Sequence, residues 1–254
     1  MKNKYVDFIS DEHFLDCVAN LHKAYLKAKN NITKKNFYSN KVDTIKLTFD
    51  AKFNVIDEES LIQAEILRQI DKSINNSIGT FHEQILGGIY GFEIGNLSGF
   101  DIKATNNSLF ADIKNKHNTM NSSSAEALFQ KLSRYADDYK NSKCYWVQIL
   151  AKNSFCELWK GDINGKEYSH SRVYKISGDQ FYSLVSGKEN ALYKLYENLP
   201  IVIKDYLESI NKTEIGKENS ALDEIKEQTK TTKRSILDQI TFENYSYYLG
   251  FDKL

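Results

Sequence analysis

Residues 98–116 read SGFDIKATNNSLFADIKNK, and the period of this stretch decides the fold. Phe100 and Ile102 alternate with Asp101 and Lys103, which is the two-residue repeat of a β-strand. ATNNS then supplies turn residues, and the chain returns as LFADIKN with Leu109, Ala111 and Ile113 on one face and Phe110, Asp112 and Lys114 on the other. A β-hairpin follows. If Asn106-Asn107 is its two-residue loop, residue 105 faces 108, 103 faces 110 and 101 faces 112. The two aspartates then lie opposite each other, with Cβ atoms about 4.5–5.5 Å apart. Like charges so placed destabilise the pair unless a cation lies between them. A divalent ion of the magnesium type suits two hard carboxylates, and Lys114, one pleat beyond Asp112, aims its ammonium at the same spot. An isolated Asp-x-Lys on a strand is mostly surface decoration. The opposed aspartate, the bounding turn and a carboxylate-bearing helix ahead of it point instead to metal-dependent phosphodiester chemistry.

Working outward, the segment before the hairpin is helical. DEHFLDCVANLHKAYLKAK spaces Phe14, Val18, Leu21 and Tyr25 by three and four, and Ile62, Ile66, Ile70 and Ile74 recur every fourth residue. A further short helix, GTFHEQILGGIYG, is expected to begin near Thr80 and to stop in the glycines; it carries Glu83. After the hairpin, Ser123 with Glu126 fits a capping box ahead of the apolar stripe Ala125, Leu128, Phe129, Leu132, Tyr135, Ala136 and Tyr139. CYWVQIL and FCELW read as central strands covered on both faces, with Trp146 and Trp159 as packing residues, and HSRVYKIS as another strand. Pro200 suits the first turn of a helix beginning PIVIKDYLESI. The polar run from residue 211 to 234 reads as solvated surface, or else as a mobile or DNA-facing helical segment.

Composition sets the limits. With 254 residues and 41% hydrophobic content the chain can bury a substantial core, and no apolar run approaches the ~20 residues of a membrane span. The N-terminus lacks the apolar centre of a signal peptide, so a cytoplasmic protein with no membrane partner is expected. Cys17, Cys144 and Cys156 lack zinc-site spacing and read as buried reduced thiols. Formal net charge is zero, which argues against a general nucleic-acid coat, although residues 1 to 46 hold nine lysines against five acids. His117 has no second His or Cys at ligand spacing and is not expected to bind a metal.

GFD, followed eleven positions on by DIK, resembles the signature of PD-(D/E)xK nucleases. The longer string GFDIKATNNSLFADIKNKHNTMNSSSAE is similar to one branch, type II restriction endonucleases that cleave G/GNCC-type sites in double-stranded DNA. The likeness extends through VYKISGDQFYSLVSGKENALYKLYENLP and the closing YSYYLGF. The resemblance implies an α/β fold: a mixed sheet flanked by helices, with helical additions at both ends. The whole of 1–254 is then one endonuclease domain, divided into a helical part (1–78), a catalytic core (79–178) and a second helical part (179–254).

It further implies Mg2+ held by Asp101, Asp112 and the carbonyl of Ile113, with Lys114 helping to activate water. Glu83 carries over as a helical glutamate near the metal, or else as a surface or capping residue. Asn115, Lys116, His117 and Asn118 either contact the DNA backbone or simply build a turn. Arg172 either reads guanine or is a strand-edge charge. The implied partners are duplex DNA and a second copy of the chain, since a palindromic site is matched by a two-fold dimer. A cognate DNA methyltransferase is a functional, not physical, partner. Two rivals remain: a repair or junction nuclease of the same fold, and a silent DNA-binding module.

Overall fold

The hairpin forms as the two-residue period requires. In a computed structural model describing residues 3–30, 32–95, 99–118, 120–210 and 221–246, β2 (Ile102–Ala104) runs antiparallel to β3 (Leu109–Lys116). Ile102 faces Ala111 and Lys103 faces Phe110, the expected register. The loop is wider than expected. Asn107 N–H donates to the Ala104 carbonyl at 2.9 Å and Asn107 takes a left-handed φ of 58°, so residues 105–108 turn the chain and 105 does not pair with 108. The ladder also ends at Ile102, and the Asp101 N–H donates to the carbonyl of Ala111 at 3.1 Å.

These strands belong to a six-stranded mixed sheet of order β1-β2-β3-β4-β6-β5, completed by β1 (Phe92–Ile94), β4 (Lys143–Leu150), β5 (Cys156–Ile163) and β6 (Lys166–Ser177). β3, β4 and β6 are parallel neighbours, and helix α5 (Ser122–Asp138) makes the crossover from β3 to β4. Alternation on β3 divides its side chains between two cores. Leu109, Ala111 and Ile113 join Ile85, Leu86, Val147, Phe181 and Tyr182 on one face, whereas Phe110 packs with Leu128, Phe129, Leu132 and Ala136 of α5 on the other. Asp112 and Lys114 share the α5 face with Phe110.

The described residues cluster into two compact units. The first, Met1–Leu21 with Ser77–Asn211, holds the sheet, α5, α6 (Gly178–Ser186) and α7 (Ala191–Ser209). The second, His22–Asn76 with Lys212–Leu254, is helical; α2 (Lys34–Ser39), α3 (Thr44–Asn54), α8 (Ala221–Thr232) and α9 (Ile236–Tyr245) bury Phe37, Leu47, Ile225 and Ile240 with Ile62, Ile66 and Ile70. The unit boundary falls inside α1 (Asp11–Asn30) and α4 (Glu58–Gly87).

Several local expectations change. No helix starts at Thr80, because α4 is continuous from Glu58, and Glu83 sits in its last turns. Asn121, not Ser123, caps α5: its side chain accepts from the Ser124 N–H at 2.8 Å. Glu126 is engaged elsewhere, accepting from the Tyr168 hydroxyl and from Asn164. Pro200 lies inside α7, where buried Leu195, Val202 and Tyr206 hold the helix through the missing backbone bond. FCELW forms the edge strand β5 rather than a central one, and its Cys156 is exposed, although all three thiols are free. Trp146 and Trp159 pack together, ring centres 4.6 Å apart. Ser98, Thr119, residues 211–220 and YSYYLGF from Tyr247 onward lie outside the described residues.

Candidate active site

Asp101 is held by its own backbone before any ligand is considered. Its N–H donates to Ala111, its carbonyl accepts from Gly95 at 3.1 Å, and Oδ2 accepts the Ile113 N–H at 2.6 Å. Two residues earlier Gly99 takes φ 72°, a left-handed turn that a side chain would strain. Asp112 is 8% exposed on β3. Lys114 Nζ lies against its Oδ1, and Lys131 Nζ of α5 lies 3.3 Å from Oδ2. Asp112 Oδ1 is buried, and the Lys114 ammonium lies directly against it.

Burial comes first in raising the Asp101 carboxyl above its usual range, followed by the negative charge of Asp112; the Ile113 N–H, Lys114 and Lys131 pull it back down. Glu83 is raised in the same way, by burial first, then by Asp101 and to a lesser degree Asp112, against the pull of Lys114. Glu83, Asp101, Asp112 and Lys114 therefore share one electrostatic neighbourhood, although they come from a helix end, a strand start and a strand middle.

This donor set fits a hard divalent cation. Among the described residues no group of three or more His, Cys, Asp or Glu side chains gathers as a metal cluster, which leaves two carboxylates beside strand backbone. That is the sparse, oxygen-only ligation that magnesium accepts while keeping several waters, and it is unlike the filled shell of a structural zinc site. Burial raises the Asp101 and Glu83 carboxyls first, and each is raised further by a neighbouring aspartate, so the site gathers negative charge that Lys114 and Lys131 offset in part.

The chain from residue 6 to 208 matches the model of a family described as Eco47II restriction endonuclease. This chain belongs to that family. Among curated proteins, it is 38% identical over 265 residues to the type II restriction enzyme Sau96I of Staphylococcus aureus, covering 99% of this chain and all of that one. It is 28% identical over 210 residues to the type II restriction enzyme Eco47II of Escherichia coli, covering 78% of this chain and 87% of the relative. As a member of this family it is a type II restriction endonuclease, a metal-dependent nuclease that cleaves double-stranded DNA site-specifically, and the mixed sheet flanked by helices is the restriction-endonuclease-like fold.

The remaining sequence candidates divide by place. Asn115 and Lys116 end β3, Lys116 in step with Asp112 and Lys114 and Asn115 in step with the opposite face, and Lys116 and Asn118 are exposed. The His117 N–H donates to the Leu150 carbonyl at 3.2 Å, and its ring Nδ1 lies 3.3 Å from the same oxygen, tying the ends of β3 and β4 together. Arg172 sits apart from them. Its Nη1 donates to the carbonyls of Tyr139 (3.1 Å) and Lys140 (2.6 Å), a cap on the C-terminal end of α5, with Asp137 at 3.6 Å. In the strand ladder Lys175, three residues on from Arg172, aligns through Trp146 with Asp112.

Two residues of this neighbourhood escaped the sequence reading. Gln148, 7% exposed on β4, is the register partner of Lys114 and shares its face. Lys131 lies beside the apolar stripe of α5, one residue before Leu132, a place ordinary for a solvated lysine and so no signal of its contacts.

Proposed function

We propose that the β2–β3 hairpin is the catalytic centre, that Mg2+ is its metal, and that the recognised site is GGNCC-like. The observation that carries this reading is the buried Asp112 carboxylate with the Lys114 ammonium against it, beside Asp101, whose carboxyl is raised by burial and then by Asp112. Asp101, Asp112 and the Ile113 carbonyl would hold the ion. When bound, Mg2+ supplies charge stabilisation at the scissile phosphate and lowers the pKa of water.

The chain's own residues supply the rest. Three hydrogen bonds fix Asp101, so its carboxylate is oriented without reorganisation when substrate arrives. Lys114, on the face of Asp112, orients the attacking water and offsets phosphate charge as it grows in the transition state. Glu83 is the third carboxylate of this neighbourhood. Asn115, Lys116, His117 and Asn118 contact the DNA backbone beside the catalytic strand. For Arg172 the cap on α5 is the favoured role. The chain works as one endonuclease in the cytoplasm, as a homodimer with one centre per strand of a two-fold site, alongside a cognate methyltransferase that it need not touch.

Digestion of a sequenced plasmid with magnesium, followed by sequencing of the product ends, tests the reading. Discrete fragments that end within GGNCC support it. A smear, cutting only at branched DNA, or undiminished cutting after exhaustive chelation would overturn it.

A further inference from the structure

Lys131 makes three contacts that no strand pattern predicts. Its ammonium donates to the Gly99 carbonyl, lies 3.3 Å from Asp112 Oδ2, and sits 4.2 Å from the centre of the Phe100 ring. It therefore joins the turn that leads into Asp101 to the strand that carries Asp112. The side chain is 29% exposed, with less than a third of it in water. A lysine is a compact point charge on a flexible stem, suited to occupying a cation position and then leaving it.

We infer that Lys131 is the resident counter-cation of the metal-free site, a positioning residue that neutralises Asp112 and is displaced from Oδ2 when a divalent ion binds. The inference rests on the reading of Asp101 and Asp112 as metal ligands. Two aspartates as neighbours repel each other, so without a metal the site needs positive charge against its carboxylates. Lys114 occupies only Oδ1 of Asp112. Lys131 takes the other oxygen, and the Gly99 carbonyl and Phe100 ring give its ammonium a place to remain once Oδ2 is surrendered. An ion entering the site must compete with this lysine. A tie that merely braced the turn against the strand would behave differently, because its loss would loosen the ligands and weaken metal binding.

The two roles therefore predict opposite signs. The full chain is melted without DNA across a series of calcium concentrations, for the parent, Lys131→Met and Lys131→Arg. In Lys131→Met the metal-free melting temperature falls while the half-saturating calcium concentration drops by about tenfold, the order expected when a unit charge a few ångströms from the ion is removed. Lys131→Arg restores the parent midpoint. An unchanged or higher calcium midpoint in Lys131→Met overturns the inference. Should the Met variant not fold, Lys131→Gln, which keeps a donor for the Gly99 carbonyl, is read for the same two signs. Asp112→Asn separates the levels: if calcium shifts the parent but not Asp112→Asn, the metal site stands and the Lys131 series judges this inference alone. If calcium leaves the parent unshifted, both fall.

Discussion

Replacing Asp112 by Asn keeps the shape of the side chain and removes its charge. Sequence pairing alone expects relief, since one of two neighbouring aspartates is neutralised. The structure reverses that expectation. Asp112 is 8% exposed and faces two ammonium groups, Lys114 against Oδ1 and Lys131 at 3.3 Å from Oδ2. Neutralising it leaves these cations facing each other across an uncharged amide. Breaking a fully buried pair costs about 3–5 kcal/mol, but these lysines are 33% and 29% exposed and can turn to water. The expected loss in the metal-free protein is therefore about 1–2 kcal/mol, or roughly 2–8 °C in melting temperature for a chain of this length. Cleavage falls at least about a hundredfold, because a charge aimed at the reacting centre is gone. Specific DNA binding survives, as a carboxylate offers phosphate nothing attractive. The assay is a thermal melt in chelator together with single-turnover cleavage and calcium-supported binding. Melting at or above the parent temperature would refute the pairing, and cleavage near the parent rate would refute the catalytic hairpin.

Asp101→Asn has the opposite sign. The raised carboxyl means that the folded protein disfavours the ionised form, a contribution that supports stability below the ordinary carboxylate range and is lost as pH rises through the raised value. In metal-free buffer at neutral pH, Asp101→Asn therefore melts no lower than the parent, and its margin narrows on acidification as the parent carboxyl gains a proton; a margin that widened instead would refute the argument. Lys114→Ala abolishes cleavage as well, but also weakens calcium-supported DNA binding, since a cation beside the phosphate is lost; titration against labelled duplex reads this. Arg172→Ala lowers stability by about 0.5–1.5 kcal/mol through the two exposed hydrogen bonds lost at the end of α5, while the plasmid fragment pattern stays the same. A changed pattern with unchanged melting would assign Arg172 to base reading. Magnesium or manganese supports cutting, whereas calcium supports binding with little cutting because its larger, looser shell positions water poorly; equal rates in calcium would count against this.

The hairpin was legible because a two-residue period is a local property, fixed by strand geometry within a few positions. Its face assignments and the pairing of residue 103 with 110 hold for that reason. The loop was not legible, since Asn107 adopts a left-handed φ that lets four residues do what two could do. The continuity of α4 was hidden by its two ends packing into different cores: Ile62, Ile66 and Ile70 in one, Phe81, Ile85 and Leu86 in the other. Lys131 was invisible for a different reason. Its partners lie on a strand and a turn distant in sequence, and nothing in local spacing records a contact made across a crossover. Ser123 lost the capping role to Asn121, and Glu126 turned to the β5–β6 hairpin, because side chains far along the chain offered stronger partners than the adjacent backbone.

The division of the chain into units also sets an order of assembly during synthesis. The first unit, with Glu83, Asp101, Asp112, Lys114 and Lys131, has all its elements once the ribosome has passed Asn211. Both units are discontinuous, but in the second Phe37, Leu47 and Ile62 are made early and their core closes only around Ala221, Ile225 and Ile240, made last. During elongation those early apolar side chains lack the part of their core that is made last, an interval in which aggregation or chaperone capture competes with folding. A ribosome-bound chain halted after α7 would carry a completed β2–β3 hairpin on a protein whose helical core still lacks Ala221, Ile225 and Ile240.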